Sequence, residues 1–304
     1  GWVGVEVKST TSPSTTWTRE NSATRGVFAG ANAGTVIDYI TIATTGNATD
    51  FGDLSVARWQ SGAVSSETRG VITAGATAGD VVSNVMDYIT IATTGNATDF
   101  GNSTVARRGS AGASNLTRGV SGGGYSGAYS NVMDYITIAT TGNATDFGDL
   151  TTTPNHTAAV GGETRGVWAG GAVPSNTNIM GYITIATTGN ATDFGDLIVA
   201  NSTMSGGVQS PTRGIFSGGN AGGITNVIQY ITIATTGNAT DFGDLILSNY
   251  APAGVSSDIR GVIGGGGDSA DSTVIQYITI DTLGNATDFG DLTVARPFAT
   301  GLQA

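Results

Sequence analysis

An all-β propeller of six blades, each a four-stranded antiparallel sheet, is the fold this 304-residue sequence predicts, and three observations predict it. A phrase close to Tyr-Ile-Thr-Ile-Ala-Thr-Thr-Gly-Asn-Ala-Thr-Asp-Phe-Gly-Asp-Leu recurs six times, anchored at Tyr39, Tyr88, Tyr135, Tyr182, Tyr230 and Tyr277. The intervals of 49, 47, 47, 48 and 47 residues fall in the range where one repeat makes one blade. Nothing within a copy has helical periodicity, and short β-branched and aromatic runs are bounded by Gly, Asn and Ser. The copies follow one another from about Thr24 to Arg296 without a linker, so the repeats form one domain.

The third copy serves as the specimen. Its small-residue stretch from Arg107 to Ser114 suits a closely approached first strand, with a turn at Asn115-Leu116-Thr117. A second strand, Arg118–Ser121, runs into Gly122-Gly123-Gly124. A polar loop precedes the third strand, Val132–Ile138, which stops at Thr141-Gly142-Asn143, and the fourth runs from Ala144 to Leu150. Four short strands repeated six times fit radial repetition around an axis, which leaves only short edges. A solenoid of short turns fits less well, because the copies lack an internal short period. The glycine pairs after the second strand, such as Gly123-Gly124 and Gly170-Gly171, are expected where blades crowd and a Cβ would clash. No helix is predicted behind them to aim N–H groups, so they are not read as phosphate loops.

Ring closure is also legible. Each Thr-Arg-Gly copy, at Arg25, Arg69, Arg118, Arg165, Arg213 and Arg260, should follow a small-residue first strand, yet Ser14–Asn21 fits that pattern badly. The C-terminal Arg296-Pro297-Phe298-Ala299-Thr300-Gly301-Leu302 matches Arg58-Trp59-Gln60-Ser61-Gly62-Ala63-Val64 instead. The C-terminus is therefore expected to supply the first strand of blade 1. Residues 23–304 then form the propeller, and 1–22, with alternating Val3, Val5 and Val7, a lead-in or a strand added to a blade edge. Because residue 1 is Gly rather than Met, the chain is expected to be processed, trimmed or cut from a longer protein.

The order of arginine, small first strand, second strand ending in a glycine pair, strand bearing Tyr, and an aromatic followed three residues later by Leu resembles the kelch repeat. Phe51, Phe100, Phe147, Phe194, Phe242 and Phe289 stand where kelch blades usually carry Trp. The phrase Ile-Thr-Ile-Ala-Thr-Thr-Gly-Asn-Ala-Thr-Asp-Phe-Gly-Asp-Leu-Thr-Val-Ala-Arg resembles kelch-like repeats of virion and tail-fibre proteins of marine bacteriophages, including cyanophages. The resemblance implies a propeller on a virus particle, at or near a host-contacting fibre.

Composition narrows the function. With 23 acidic and 12 basic residues the net charge is −11, which repels nucleic acid and anionic membrane surfaces. No run of 18 apolar residues exists for membrane insertion. Only 12% of residues are charged, and a surface rich in hydroxyls and amides suits an outside environment, which the resemblance narrows to a virion or extracellular surface. The chain has no Cys and one histidine, His156, so Cys/His nucleophilic schemes, histidine-rich zinc sites and a copper site lack their ligands. No cofactor and no metal are expected, and the protein is read as no enzyme.

Three repeated features invite chemistry, and repetition argues that each is scaffold. Asp50 and Asp53, with their counterparts, suit a calcium turn, or else Asp50 caps the turn while Asp53 pairs with an arginine such as Arg58. Arg25 and its equivalents are read as inter-strand or inter-blade hydrogen-bond forks rather than a sugar-acid site. The Asn-x-Thr sequons at Asn47, Asn96, Asn143, Asn190, Asn238 and Asn285 lie at Gly-Asn turns, and hairpin geometry explains them without glycans.

Function is expected where the copies disagree. The loops after the glycine positions differ: Ala31-Asn32-Ala33, 77–83, 125–130, 173–177, 220–224 and 268–272. Equivalent propeller loops gather on one face, and Tyr125, Tyr129, Asn176, Asp268 and Asp271 are the candidate ligand-binding residues, offering ring faces, amides and carboxylates to a glycan. A second variable set, Trp59, Gln60, Arg108, His156, Met204 and Tyr250, is expected to face a neighbouring subunit or the opposite rim. The leading expectation is a non-enzymatic module recognising host-surface glycan or protein, with other virion or fibre subunits, or further copies of itself in a homo-oligomer, as partners. The alternatives are a purely structural propeller and, third, a polysaccharide-degrading enzyme working with two carboxylates.

Overall fold

A computed structural model describes residues 24–31 and 34–303, and the expected lead-in over 1–22 lies outside the described residues. The described chain is a six-bladed β-propeller without a helix, each blade an antiparallel sheet with the first strand innermost. Blade 3, the specimen, consists of Ala111–Ser114, Arg118–Gly122, Val132–Thr137 and Thr145–Asp149. Arg107 therefore stands in the linker before the first strand rather than in it. Blade 2 runs from Gly62 to Asn102, blade 4 from Ala158 to Asn201, blade 5 from Ser205 to Asp244 and blade 6 from Ala253 to Asp291.

Blade 1 is assembled from both ends of the chain. The C-terminal strand Thr300–Gln303 pairs antiparallel with Arg25–Ala31, setting Val27 opposite Leu302, and Gly34–Thr41 and Thr49–Asp53 complete the sheet. The two irregular repeat intervals have local causes. A longer loop between Gly75 and Asn84 accounts for 49 residues, and a bulge between Ser205 and Val208 in the first strand of blade 5 accounts for 48.

The hydrophobic core is not at the axis. It is divided into six clusters, each spanning two neighbouring blades, as where Val27, Phe51 and Leu302 of blade 1 meet Ile72 and Ile91 of blade 2. Each blade is covered on both faces, which is why the second strands read as continuous apolar runs such as Val27-Phe28-Ala29 rather than alternating ones.

Repeated residues stitch the blades. Gly95 N–H donates to Phe51 C=O and Ala97 N–H to Asp53 C=O, and the same pair of bonds recurs at every interface, ending with Gly46 to Phe289 and Ala48 to Asp291. A Cβ on Gly52 would lie 2.5 Å from the Gly95 carbonyl oxygen, so this fourth-strand position admits only glycine. Each sequon asparagine adds a side-chain bond, as Asp53 N–H donates to Asn96 Oδ1 at 3.1 Å and Asp291 N–H to Asn47 Oδ1 at 3.1 Å. The sequons thus join neighbouring blades, beyond the hairpin geometry expected of them.

The repeated arginines are inter-blade forks. Arg69 stacks over Tyr88 of its own blade at 4.4 Å and donates to Ile138 and Ala139 carbonyls of the next. Arg260 does the same to Ile42 and Ala43 across the ring closure. One expected pairing is corrected. Arg58 does not meet Asp53 but reaches forward to Asp87 in blade 2, while Asp53 Oδ1 accepts the Thr35 hydroxyl at 2.7 Å. The linker carries Arg58 into the interface between blades, whereas Asp53 stays exposed on the outer strand.

Candidate functional site

Both variable sets lie on one face. In a four-stranded antiparallel blade, the loop from second to third strand and the linker to the next blade emerge at the same end. Here they are joined directly. Trp59 and Ala76 exchange backbone hydrogen bonds, as do Arg108 with Tyr125, Asn155 with Ala172, Ser202 with Asn220 and Tyr250 with Gly267. The expectation that the linker set faces the opposite rim is therefore overturned.

At the centre of this face the linkers end in equivalent residues, Gln60, Gly109, His156, Thr203, Ala251 and Phe298, every one with φ between 53° and 68°. Their left-handed backbone turns each linker into a first strand and aims its N–H sideways. Gly109 N–H donates to Gln60 C=O at 2.8 Å, His156 to Gly109 at 2.9 Å, Thr203 to His156 at 2.9 Å, Ala251 to Thr203 at 2.7 Å, Phe298 to Ala251 at 2.9 Å and Gln60 to Phe298 at 3.3 Å. The circle closes on itself: six blades share one cyclic chain of backbone hydrogen bonds around the axis.

Side chains cover that circle. Phe298 of blade 1 meets His156, which opens blade 4 on the opposite side of the axis, edge-on at a centroid distance of 5.4 Å. Trp59 at 5.4 Å and Tyr250 at 5.8 Å flank the same ring. Burial, with a smaller contribution from the nearby Arg108 charge, lowers the pKa of His156 to about 4, so the imidazole is neutral at pH 7. Along the axis lies a cavity of about 120 Å³, lined by the starts of all six first strands.

The predicted residues sit around this centre in separate groups. Tyr125 and Tyr129 pair edge-on at 5.7 Å in blade 3, with Arg108 over Tyr125 at 5.6 Å and paired to Asp80 at 2.8 Å. Asn176 of blade 4 donates through Nδ2 to the Asn220 carbonyl of blade 5. Asp268 and Asp271 are exposed on blade 6, which stands across the ring from blade 3. The structure brings Tyr125 to Tyr129 and does not bring either to the acids. Phe298 was missed by the sequence reading. Its signal was its alignment with Gln60 and His156, positions already singled out as variable.

Among the described residues, no group of three or more His, Cys, Asp or Glu side chains is placed to hold a metal ion. The fold and this face define a six-bladed β-propeller with a composite loop surface. Compared with known proteins, the chain matches no family model and has no significant match among curated sequences.

Proposed function

We propose that the protein is a non-enzymatic binding module whose loop-and-linker face recognises a glycan or protein on a host surface, in keeping with the kelch-like virion and tail-fibre repeats that its sequence resembles. The observation that carries this reading is the convergence of both variable sets on one face, around the aromatic group Phe298, Trp59, His156 and Tyr250. Sequence change there leaves untouched the apolar clusters between blades and the repeated bonds of the Gly95–Phe51 kind, so specificity can vary on a constant scaffold. Aromatic rings beside amides and carboxylates suit the apolar face and hydroxyl edge of a sugar. A glycan array compared with a variant carrying the 220–225 loop in place of 125–130 tests it, and equal signals from the two proteins would remove the glycan reading.

A structural role in a fibre or virion is the second reading, favoured by exposed apolar side chains on the last strand of blade 4, Ile198 and Val199, and on the linker after blade 5, Ile246 and Leu247. Exposed residues of this kind suit packing on another subunit. Self-association in solution, abolished by Leu247→Ser, would support it.

A further inference from the structure

We propose that the hairpin face of blade 6 is a docking surface for residues 1–23 of the same chain. This goes beyond the reading of the loop face and does not depend on it. In each blade the turn from first to second strand and the hairpin from third to fourth emerge at the end opposite the loops. At that end the threonine before each fork arginine and the phrase Ala-Thr-Thr-Gly-Asn are the same in five copies, and only the sixth departs. Ile259 stands where the others carry Thr24, Thr68, Thr117, Thr164 and Thr212, while Asp281 replaces the alanine of the phrase and Leu283 its second threonine. The scaffold does not require these changes. Ile259 C=O accepts Ile280 N–H at 2.9 Å just as Thr24 C=O accepts Ile42 N–H at 3.0 Å, and Gly284 N–H still donates to Phe242 C=O at 2.9 Å. The new side chains face water instead: Ile259 is 64% and Leu283 54% exposed, and Asp281 is exposed as well. Large apolar side chains standing in place of threonine on a surface mark a contact.

The occupant follows from where residues 1–23 join the ring. Thr24 and Arg260 meet on one residue of blade 1, Ile42, whose N–H donates to the Thr24 carbonyl and whose carbonyl accepts from Arg260 at 3.0 Å. The chain before Thr24 therefore enters on the hairpin face, next to Ile259, the residue that precedes Arg260. Fully extended, 23 residues span roughly 75 Å, so reaching Leu283 in the same blade needs only part of them. The composition is complementary. Trp2, Val3, Val5, Val7 and Trp17 match the apolar pair, and Lys8, the chain's one lysine, and Arg19 match Asp281 in a protein that is acidic elsewhere. Docking at this end leaves the loop face open to a receptor.

Limited proteolysis of the full chain tests the proposal, since trypsin cuts after Lys8 and Arg19 when the segment is free of the propeller. Ile259→Thr with Leu283→Thr, which restores the residues of the other five blades, should speed both cuts about tenfold or more, because two buried apolar side chains are lost from the docked state. Ile246→Thr with Leu247→Thr, at the loop-face end of blade 5, should leave the rates unchanged. Melting curves establish that both variants fold. Zero-length carbodiimide coupling of the wild-type protein gives an independent reading, with Lys8 expected to join Asp281 or Asp258 of its own chain. Equal cleavage rates in the wild-type protein and the blade 6 variant would overturn the proposal, as would coupling of Lys8 to carboxylates of other blades. Protection lost on dilution would give the surface to a second copy and overturn it too.

Discussion

Arg58, in the linker leaving blade 1, pairs at 3.0 Å with Asp87 in the third strand of blade 2, and both side chains are fully withdrawn from water. Asp87 also accepts Ser55 N–H at 3.1 Å, and Arg58 donates to the Ile72 carbonyl at 3.3 Å. The latch recurs as Arg107 with Asp134 and Arg296 with Asp38. At the other three interfaces both partners change together: Pro154 faces Gly181, Asn201 accompanies Gln229, and Asn249 accompanies Gln276. The amide versions are uncharged and keep part of the bonding: Gln229 Oε1 accepts Ile198 N–H at 2.9 Å as Asp87 accepts Ser55 N–H, whereas Asn201 Nδ2 donates at 2.8 Å to the Gly218 carbonyl of its neighbouring blade.

This internal replacement predicts a rescue. Burial already pushes the Arg58 pKa down, and the Asp87 charge opposes that shift, so removing the acid leaves a guanidinium uncompensated. Asp87→Ala should cost about 3–5 kcal/mol of unfolding free energy. The double variant Arg58→Asn with Asp87→Gln, copied from blade 5, should recover most of it. Denaturant melts of the three proteins decide the matter, and a double variant no better than Asp87→Ala would refute the equivalence of the two latches.

Closure of the ring makes the last eight residues essential. Without 297–304, the edge of Arg25–Ala31 loses its partner strand, Leu302 leaves the cluster between blades 1 and 2, and the axial hydrogen-bond cycle loses Phe298. Deletion of 297–304 should therefore lower the melting temperature of the whole domain in one transition. Leu302→Ala, at a side chain 1% exposed, should cost about 2–5 kcal/mol. An unchanged melting temperature after the deletion would contradict the closure.

Blade number, strand order and closure were legible in the sequence because each repeats or completes a pattern: six Tyr anchors, six glycine-bearing second strands, and one first strand missing at the start and present at the end. The forks of Arg25 and its equivalents were legible for the same reason. The Arg58 latch was misassigned because its partner lies 29 residues away in the next blade, a distance no local turn rule measures. The shared face of the two loop sets, the cyclic bonds through Gln60 and Phe298, and the cavity arise from three-dimensional closure. No repeat contains them by itself.

The sequon asparagines provide a prediction about glycan acceptors that are also joints. Asn96 Oδ1 accepts Asp53 N–H across the blade interface, so Asn96→Ala should cost about 0.5–1.5 kcal/mol. Asn96→Asp, which retains an acceptor oxygen at the same position, should cost less. Thermal melts of the two variants separate the joint from a site whose only use is glycosylation, for which both substitutions would be silent.

His156 gives the axis a pH dependence of fixed sign. Its pKa is about 4 in the folded protein against 6.5 for an unperturbed side chain, so between these values the unfolded chain binds the proton and the folded chain does not. The stabilisation is present in full above pH 6.5 and is lost as the pH falls toward 4, by roughly 1–3 kcal/mol once partial exposure is discounted. Carboxylates elsewhere titrate in the lower part of the window, so the informative quantity is the difference between the wild-type protein and His156→Gln. That difference should narrow as the pH is lowered from 7 to 4.5, because the glutamine carries no proton to gain. Parallel stability curves for the two proteins across that range would show that His156 titrates normally and that its place against Phe298 and Arg108 does not hold it neutral.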